Sequence, residues 1–407
     1  MNIISELRKV IGLGFNTLSG KASRIRQGRR SPLSPLADRM LSDALRLAEI
    51  PSPTRREEPR AAFILERLNV LGLASHVDEQ GNILSRLRSP ETGDGPPLLL
   101  FTNLGSSRWH SLESISDVDA VFAAGAGLAD VLGAVALLSL AEGIVSGRLS
   151  AGRDILLLFL ARSLDDPEGD VFGTIADDPV YRPCAALGLR GFTLGRLADN
   201  LEGAYRIRVH VEQGSEEAGW DAPDQVVDTV IGIAKNLSGI TWDSERTTHC
   251  HIRRVETGDG FGRFPSEGLI ELELESSDAT FLEMAMKTAT ATANSAQVQG
   301  VKVTVEIVSF VPVGNREVDS ALSKLVLNHM RDQHIKISQY LGSDPSAYLS
   351  IQGIPALSIG LAQGRTGLRR DRVEIASIEK GRLLLEALVR SLSTGLSFGA
   401  SGEGGAA

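Results

Sequence analysis

Short, uninterrupted apolar runs recur along the chain and are separated by longer segments with helical spacing. The runs lie at 97–102, 155–161, 185–189 and 356–360. Runs of this kind are typical of strands that are buried on both faces of a parallel sheet. Apolar residues at helical spacing lie before, between and after these runs, at 37–49, 128–142, 320–332 and 378–392. This alternation predicts an α/β domain whose mostly parallel sheet is covered by helices on both faces.

The middle of the chain has a different pattern, in which apolar and polar residues alternate. Alternating segments at 205–211, 249–255, 269–274 and 301–308 predict half-exposed strands, and helical spacing occurs at 225–237 and 280–293. The order strand–helix–strand–strand–helix–strand is that of a ferredoxin-like βαββαβ module. Because the buried run 356–360 follows it, we expect the module to be inserted into the α/β domain.

These patterns divide the chain into four parts. We expect an extension and linker over 1–37, the α/β domain over 38–203 and 313–396, the inserted module over 204–312, and a disordered Gly/Ala/Ser-rich tail over 397–407. The extension has apolar residues at helical spacing followed by a basic run, without the cleavage site of a signal peptide. Such a helix can contact a membrane surface or a partner protein, or pack on its own domain.

The amino-acid composition excludes or disfavours several classes of protein. The chain has 407 residues, of which 42% are hydrophobic and 23% charged, so it can bury a sizeable core. Its 2 cysteines exclude a disulfide scaffold or a thiolate zinc cluster. The net charge of −9 disfavours a protein that wraps nucleic acid. The most apolar stretch, 131–145, contains Glu142 and is too short to span a bilayer, so we expect a cytoplasmic protein.

Three segments carry a resemblance to a known family. They are GAGLADVLGAVALLSLAEGI (125–144), GDGFGRFPSEGLIELELESSD (258–278) and GSDPSAYLSIQGIPALSIG (342–360). Together with the inserted module they resemble the peptidase T, acetylornithine deacetylase and aminoacylase family of dizinc hydrolases. The resemblance implies two zinc ions at the carboxyl ends of the strands, a metal-bound water that attacks an amide, and dimerisation through the inserted lid module.

The positions of the family's functional residues are mostly changed here. The resemblance places them, in chain order, at Asn103, Gly105, Asp130, Asp165, Asp166, Arg190, Ser215, Gly262 and Arg365. The first two replace a His-x-Asp pair, and the arginines replace an acidic ligand and a late histidine. Asp165 and Asp166 replace a Glu–Glu pair. Of this set only Asp130 is identical to the family residue, and a helix cap is the alternative role for it.

These changes lead to the hypothesis that the protein is a degenerate member of this family and needs no cofactor. Guanidinium groups do not deprotonate to become ligands. We therefore expect Arg190 and Arg365 to fill the space of the metals, to neutralise Asp130 and either Asp165 or Asp166, and to offer the cleft to an anionic group. The protein would then act as a homodimeric binding or scaffold protein without hydrolase activity.

Two alternatives remain open. The first is an active zinc-dependent hydrolase of peptides or N-acyl amino acids, with Asp130, Asp165 and His110 as reworked ligands and Asp166 as base. The second is a scaffold that docks through its N-terminal helix. A separate zinc site at His249 and His251 is disfavoured, because no acidic motif lies near that pair in the sequence.

Overall fold

The computed structural model describes residues 33–89, 95–106, 116–162, 169–213, 225–240, 242, 248–258, 260, 265–298, 300–367 and 369–394. The predicted N-terminal helix and the predicted disordered tail lie outside these residues.

Helices and strands alternate along the described chain. The helices are α1 (Pro35–Ala48), α2 (Glu58–Val70), α3 (Leu128–Val145), α4 (Gly169–Asp177), α5 (Gln225–Gly239), α6 (Ala279–Ser295), α7 (Arg316–Asp332), α8 (Ala347–Ser350) and α9 (Ile375–Ser393). The strands are β1 (Ser75–Val77), β2 (Ile83–Leu87), β3 (Leu98–Asn103), β4 (Asp117–Val118), β5 (Phe122–Gly125), β6 (Ile155–Leu160), β7 (Ala185–Phe192), β8 (Arg196–Gln213), β9 (His249–Thr257), β10 (Glu267–Ser276), β11 (Val301–Val311), β12 (Ser338–Ser343), β13 (Ala356–Ala362), β14 (Gly364–Arg365) and β15 (Asp371–Glu374).

The main sheet has the order β1-β2-β6-β3-β7-β13-β8. Its central strands β6, β3, β7 and β13 are parallel to one another, whereas β2 runs antiparallel to β6. Every residue of β6 and of β13 is buried, because helices cover both faces of the sheet. The predicted α/β architecture is confirmed.

The inserted module continues from the same sheet. Strand β8 pairs with β13 at Leu197 and then extends into a second set of strands, where its neighbours are β10 and β11 and where β9 lies beyond β10. All these pairs are antiparallel, and α5 and α6 pack on one face of them. The predicted strand–helix–strand–strand–helix–strand order is confirmed, and the long β8 joins the two sheets.

The structure differs from the sequence prediction at helix α1 and in a small additional sheet, among other places. Helix α1 begins at Pro35, inside the segment predicted as linker, because Ser34 caps it by accepting a hydrogen bond from the Ala37 N–H and proline is tolerated in a first helical turn. A small sheet of β14, β15, β5 and β4 was not predicted. Its strands of two to four residues are too short to give a periodic pattern.

Helix α3 is apolar on all sides and lies in the core. Among the described helices it alone is long and apolar enough to cross a membrane, but 78% of it is buried inside the protein. It packs very closely on the sheet at Gly133, where a Cβ atom would lie 2.2 Å from Thr102 Oγ1 and 2.6 Å from the Leu189 carbonyl oxygen. Only glycine permits this approach, which brings the first turn of α3 to the carboxyl ends of β3 and β7.

Candidate functional site

Asp130 lies in the first turn of α3 at these strand ends. The Ser106 hydroxyl donates a hydrogen bond of 2.5 Å to Asp130 Oδ2. The same turn is held from the other side, since the Ala129 N–H donates to Asp371 Oδ2 at 3.1 Å. Asp130 is therefore fixed in place and has a hydroxyl partner.

A buried arginine supplies a positive charge beside Asp130. Arg60 of α2 is completely buried and donates to the Ile50 and Leu104 carbonyl oxygens, each at 3.0 Å. Burial lowers the pKa of Arg60 to about 10, and the negative charges of Asp130 and Glu57 counteract part of that shift. Arg60 thus stays protonated at neutral pH. Of the two acidic groups that stabilise its charge, Asp130 contributes more than Glu57.

Arg60 was not predicted to be a site residue. A signal was present, because Arg60 occupies the same helical face as Ile64 and Leu68, the two other buried residues of α2. A charged residue on an apolar helical stripe is buried with it, and a buried charge requires partners.

Gly105 is constrained by a neighbouring carboxylate. A Cβ atom at this position would lie 2.9 Å from Glu57 Oε1. Glu57 is itself buried and accepts a hydrogen bond of 2.9 Å from the Arg162 N–H. A carboxylate side chain at position 105 would therefore collide with Glu57 unless Glu57 moved.

Arg190 has a partner that was not predicted. It donates to Asp344 Oδ2 from Nε at 3.2 Å and from Nη2 at 2.8 Å. The other oxygen of Asp344 accepts hydrogen bonds from Ser346 and Ser358. Burial raises the pKa of Asp344, but the Arg190 charge and these hydrogen bonds outweigh it, so the pKa lies below its usual value. Asp344 is thus a buried carboxylate that Arg190 neutralises.

The other predicted cleft positions are not all brought together. Asn103 ends β3 and lines a cavity together with Arg190. Arg365 lies on the two-residue strand β14 with an exposed side chain and does not line that cavity. The expectation that Arg365 fills a buried metal space is therefore wrong, because β14 places it at the surface.

Five predicted residues lie outside the described residues: His110, Asp165, Asp166, Ser215 and Gly262. Their roles stay predictions, including the interaction of Asp165 or Asp166 with Arg190.

The cavity has a volume of about 390 Å³ and lies between the main sheet and the inserted module. Its charged lining residues are Arg190, Arg196, Arg206, Arg253, Glu273, Glu275 and Asp344. The other polar lining residues are Asn103, Ser309, Tyr340, Ser343 and Tyr348. The buried Oδ1 atom of Asn103 accepts no hydrogen bond from the described part of the chain.

The histidine pair of the inserted module is at the surface. His249 and His251 are exposed, and their rings stack with centroids 6.0 Å apart. Within the residues that the structure describes, no group of three or more His, Cys, Asp or Glu side chains could hold a metal ion. Among those residues, the pair has too few additional ligands for a protein zinc site.

Comparison with solved structures relates the fold to dizinc peptidases. No family model and no curated protein matches the sequence. Aminopeptidase PepT from Bacillus cereus matches at 13% identity and a TM-score of 0.62, over 88% of this chain and 99% of that chain. The di-peptidase Dug1p from Saccharomyces cerevisiae matches at 14% identity and a TM-score of 0.64, over 88% and 97%.

A third structure supplies the family name. The YXEP protein of Bacillus subtilis, described as a dinuclear metal binding peptidase from the M20 family, matches at 11% identity and a TM-score of 0.56, over 88% of this chain and 98% of that chain. Identities this low establish the fold alone. The chain has the fold of the M20 dizinc peptidases, as the resemblance of its motifs implied.

Proposed function

We propose that this chain is a degenerate metallopeptidase-like protein, which keeps the hydrolase fold but binds a ligand instead of hydrolysing one. The observation that carries the proposal is the environment of Asp130. This carboxylate has Ser106 as a hydrogen-bond donor and the buried cation Arg60 as a source of positive charge. If Asp130 instead acted as a bridging metal ligand, two metal ions would neutralise its negative charge.

The described residues at the other ligand positions do not fit a dizinc centre. Zinc is bound by imidazole nitrogen, thiolate sulfur and carboxylate oxygen. Asn103 offers a neutral amide, Gly105 offers no side chain, and Arg190 offers a cation already paired with Asp344. Zinc therefore has no part in the function proposed for this chain.

Electrostatics support the same conclusion. Arg60 is completely buried and fixed by two main-chain oxygens, so its charge is poorly screened by water. A divalent ion bound at Asp130 would be repelled by this charge, because like charges in a region of low dielectric are costly. The single negative charge of Asp130 would neutralise only part of the positive charge carried by Arg60 and a divalent ion together.

The proposal includes a cytoplasmic homodimer that forms through the inserted module. Strand β9 is at the edge of the module's sheet, with Val255 47% exposed and with the exposed residues His249 and His251. An open sheet edge is a surface on which a second chain can pair. The native mass of the protein tests this part of the proposal.

An amidase assay tests the absence of hydrolysis. Purified protein is incubated with zinc, cobalt or manganese and with a panel of dipeptides, tripeptides and N-acyl amino acids. We expect no metal-dependent cleavage above the background without protein, because Asn103, Gly105 and Arg190 leave too few ligands to activate water.

The alternative function is a metal-dependent amidohydrolase, which the fold of the dizinc peptidases favours. It would use Asp130, Asp165 and His110 as ligands and Asp166 as base. Metal-dependent cleavage that Asp166→Asn abolishes would establish it and overturn our proposal. The control is Asp332→Asn, since Asp332 is exposed at the end of α7 and should leave any such activity unchanged.

A further inference from the structure

A strongly basic hairpin lies at the surface of the small sheet. Strands β14 and β15 and the turn between them contain four arginines within the eight residues 365–372, in a chain whose net charge is −9. All four are exposed, and we call them the arginine hairpin: Arg365, Arg369, Arg370 and Arg372. The residue that was expected to fill a metal space thus belongs to a positively charged surface.

Little negative charge compensates the arginine hairpin. Arg372 pairs with Asp119 at 3.7 Å, but both side chains are more than half exposed, so this pair contributes little stability. Within the described part of the chain, the side chains of Arg365, Arg369 and Arg370 form no ion pair. Arg365 also lies directly opposite Arg372 in the register of β14 and β15, where like charges repel each other. An anionic partner would relieve this repulsion.

The acidic residue of the hairpin is buried and holds it in place. Asp371 is 1% exposed. Its Oδ1 atom accepts a hydrogen bond of 3.3 Å from the Gly367 N–H in the turn, and its Oδ2 atom accepts one of 3.1 Å from the Ala129 N–H in α3. These two bonds fix the turn to the α/β domain. The charged side chains that the segment 364–373 exposes to solvent are therefore all arginines.

The N-terminal segment 1–32 joins the described domain near the arginine hairpin. The Ser34 hydroxyl donates a hydrogen bond of 2.6 Å to Glu379 Oε2. Glu379 lies in the second turn of α9, which begins directly after β15. From the rise per residue of strands and helices, the Cα atoms of Arg372 and Glu379 are about 17 Å apart at most. The segment can therefore act on the same surface as the hairpin.

The sequence of this segment combines positive charge with an apolar stripe. Residues 1–32 include seven basic side chains and one acidic side chain. Their apolar residues recur at helical spacing at Ile3, Ile4, Leu7, Val10, Ile11 and Phe15. Basic groups attract anionic lipid headgroups, and an apolar stripe enters the boundary between headgroups and acyl chains. A nucleic acid would be bound by the basic groups alone, so the apolar stripe favours a membrane.

We propose that the arginine hairpin and the N-terminal segment together bind the surface of a membrane that contains anionic lipids. A single weak membrane signal gives only marginal, reversible binding, whereas two signals act together. Here one signal is an amphipathic segment and the other is a basic patch on the folded domain. The inference goes beyond the proposed function, because the four arginines do not line the ligand cavity.

Co-sedimentation of the full chain with lipid vesicles tests the proposal. One set of vesicles consists of phosphatidylcholine with about one third phosphatidylserine, and the other of phosphatidylcholine alone. We expect binding to the first set only, and weaker binding as salt is added. Arg369→Gln combined with Arg370→Gln should weaken binding about 25-fold, because each basic group near an anionic surface contributes about fivefold to the affinity.

Arg316→Gln combined with Arg331→Gln is the matched control. Both arginines are exposed on α7, so this variant loses the same charge outside the hairpin and should bind as the wild type does. Ile11→Ser combined with Phe15→Ser removes apolar area without changing the charge, and it should also weaken vesicle binding. Melting temperatures show whether each variant is folded.

Four results would overturn the inference. They are no binding to the phosphatidylserine vesicles, equal binding to both sets of vesicles, an equal loss in the Arg316 and Arg331 control, and unchanged binding after the Ile11 and Phe15 substitutions. Binding of a DNA duplex that depends on Arg369 and Arg370, without vesicle binding, would assign the arginine hairpin to nucleic acid instead.

Discussion

Arg60 and Asp130 form a pair of opposite charges near the strand ends of the main sheet. Arg60 also holds the segment that ends β3, because its Nη1 atom donates to the Leu104 carbonyl oxygen, as Ser52 does from its hydroxyl at 3.4 Å. One buried cation therefore has two roles. It fixes the backbone between Asn103 and Gly105, and its positive charge interacts favourably with the half-buried carboxylate of Asp130.

Arg60→Met should destabilise the protein by about 2–4 kcal/mol, because the Ile50 and Leu104 carbonyl oxygens each lose a hydrogen bond and Asp130 loses the positive charge of Arg60. Urea denaturation measures the free energy of unfolding. Adding Asp130→Asn to Arg60→Met should recover about 1 kcal/mol, since the carboxylate that lost the Arg60 charge is then replaced by a neutral amide.

Arg39→Met is the control for this prediction. Arg39 pairs with Glu142 at 2.6 Å but its side chain is 54% exposed, so its loss should cost about 1 kcal/mol or less. Strictly additive effects of Arg60→Met and Asp130→Asn would contradict the electrostatic role of Arg60.

At the scale of elements, a buried carboxylate joins α7 to the sheet. Asp319 accepts a hydrogen bond of 2.9 Å from the Ala356 N–H at the start of β13 and one of 2.7 Å from the Ser350 hydroxyl of α8. Burial raises the pKa of Asp319 to about 6, the two hydrogen bonds counteract this shift, and the charge of Asp199 adds to it. The folded protein therefore binds a proton at Asp319 more tightly than the unfolded chain does.

The raised pKa of Asp319 makes the stability of the folded protein depend on pH in a known direction. With a pKa near 6 in the folded state and about 3.9 in the unfolded state, Asp319 lowers stability progressively as pH rises from about 4 to about 6, by up to about 3 kcal/mol. Asp319→Asn removes that dependence. The free energy of unfolding of Asp319→Asn minus that of the wild type should therefore be larger at pH 7.5 than at pH 4.

Thermal or urea unfolding at both pH values measures this difference. Asp332→Asn, on the exposed end of the same helix, should show little change with pH. A difference for Asp319→Asn that is the same at pH 4 and pH 7.5 would contradict the raised pKa.

For the whole molecule, hydrophobic pattern was sufficient to predict the architecture. Continuous apolar runs predicted the buried parallel strands, and alternation predicted the inserted module, because both patterns follow directly from which faces are buried. The small sheet of β4, β5, β14 and β15 was missed, since strands so short have no period.

The partners of the site residues could not be predicted in the same way. Arg190 lines the cavity, and its partner Asp344, which is 154 residues away in sequence, was not predicted. Asp344 directly follows β12, and Ser358 of β13, the strand next to β7, donates a hydrogen bond that holds it beside Arg190. Arg196 and Arg206 were missed because they belong to β8, whose path from one sheet into the other is a property of the assembled fold.

The metal content of the untagged, purified protein tests the central claim most directly. Native mass spectrometry, supported by elemental analysis, gives the mass of the assembly and the number of bound metal ions after incubation with zinc and buffer exchange. Our account predicts a dimer with no stoichiometric metal. One or two zinc ions retained per chain would contradict it.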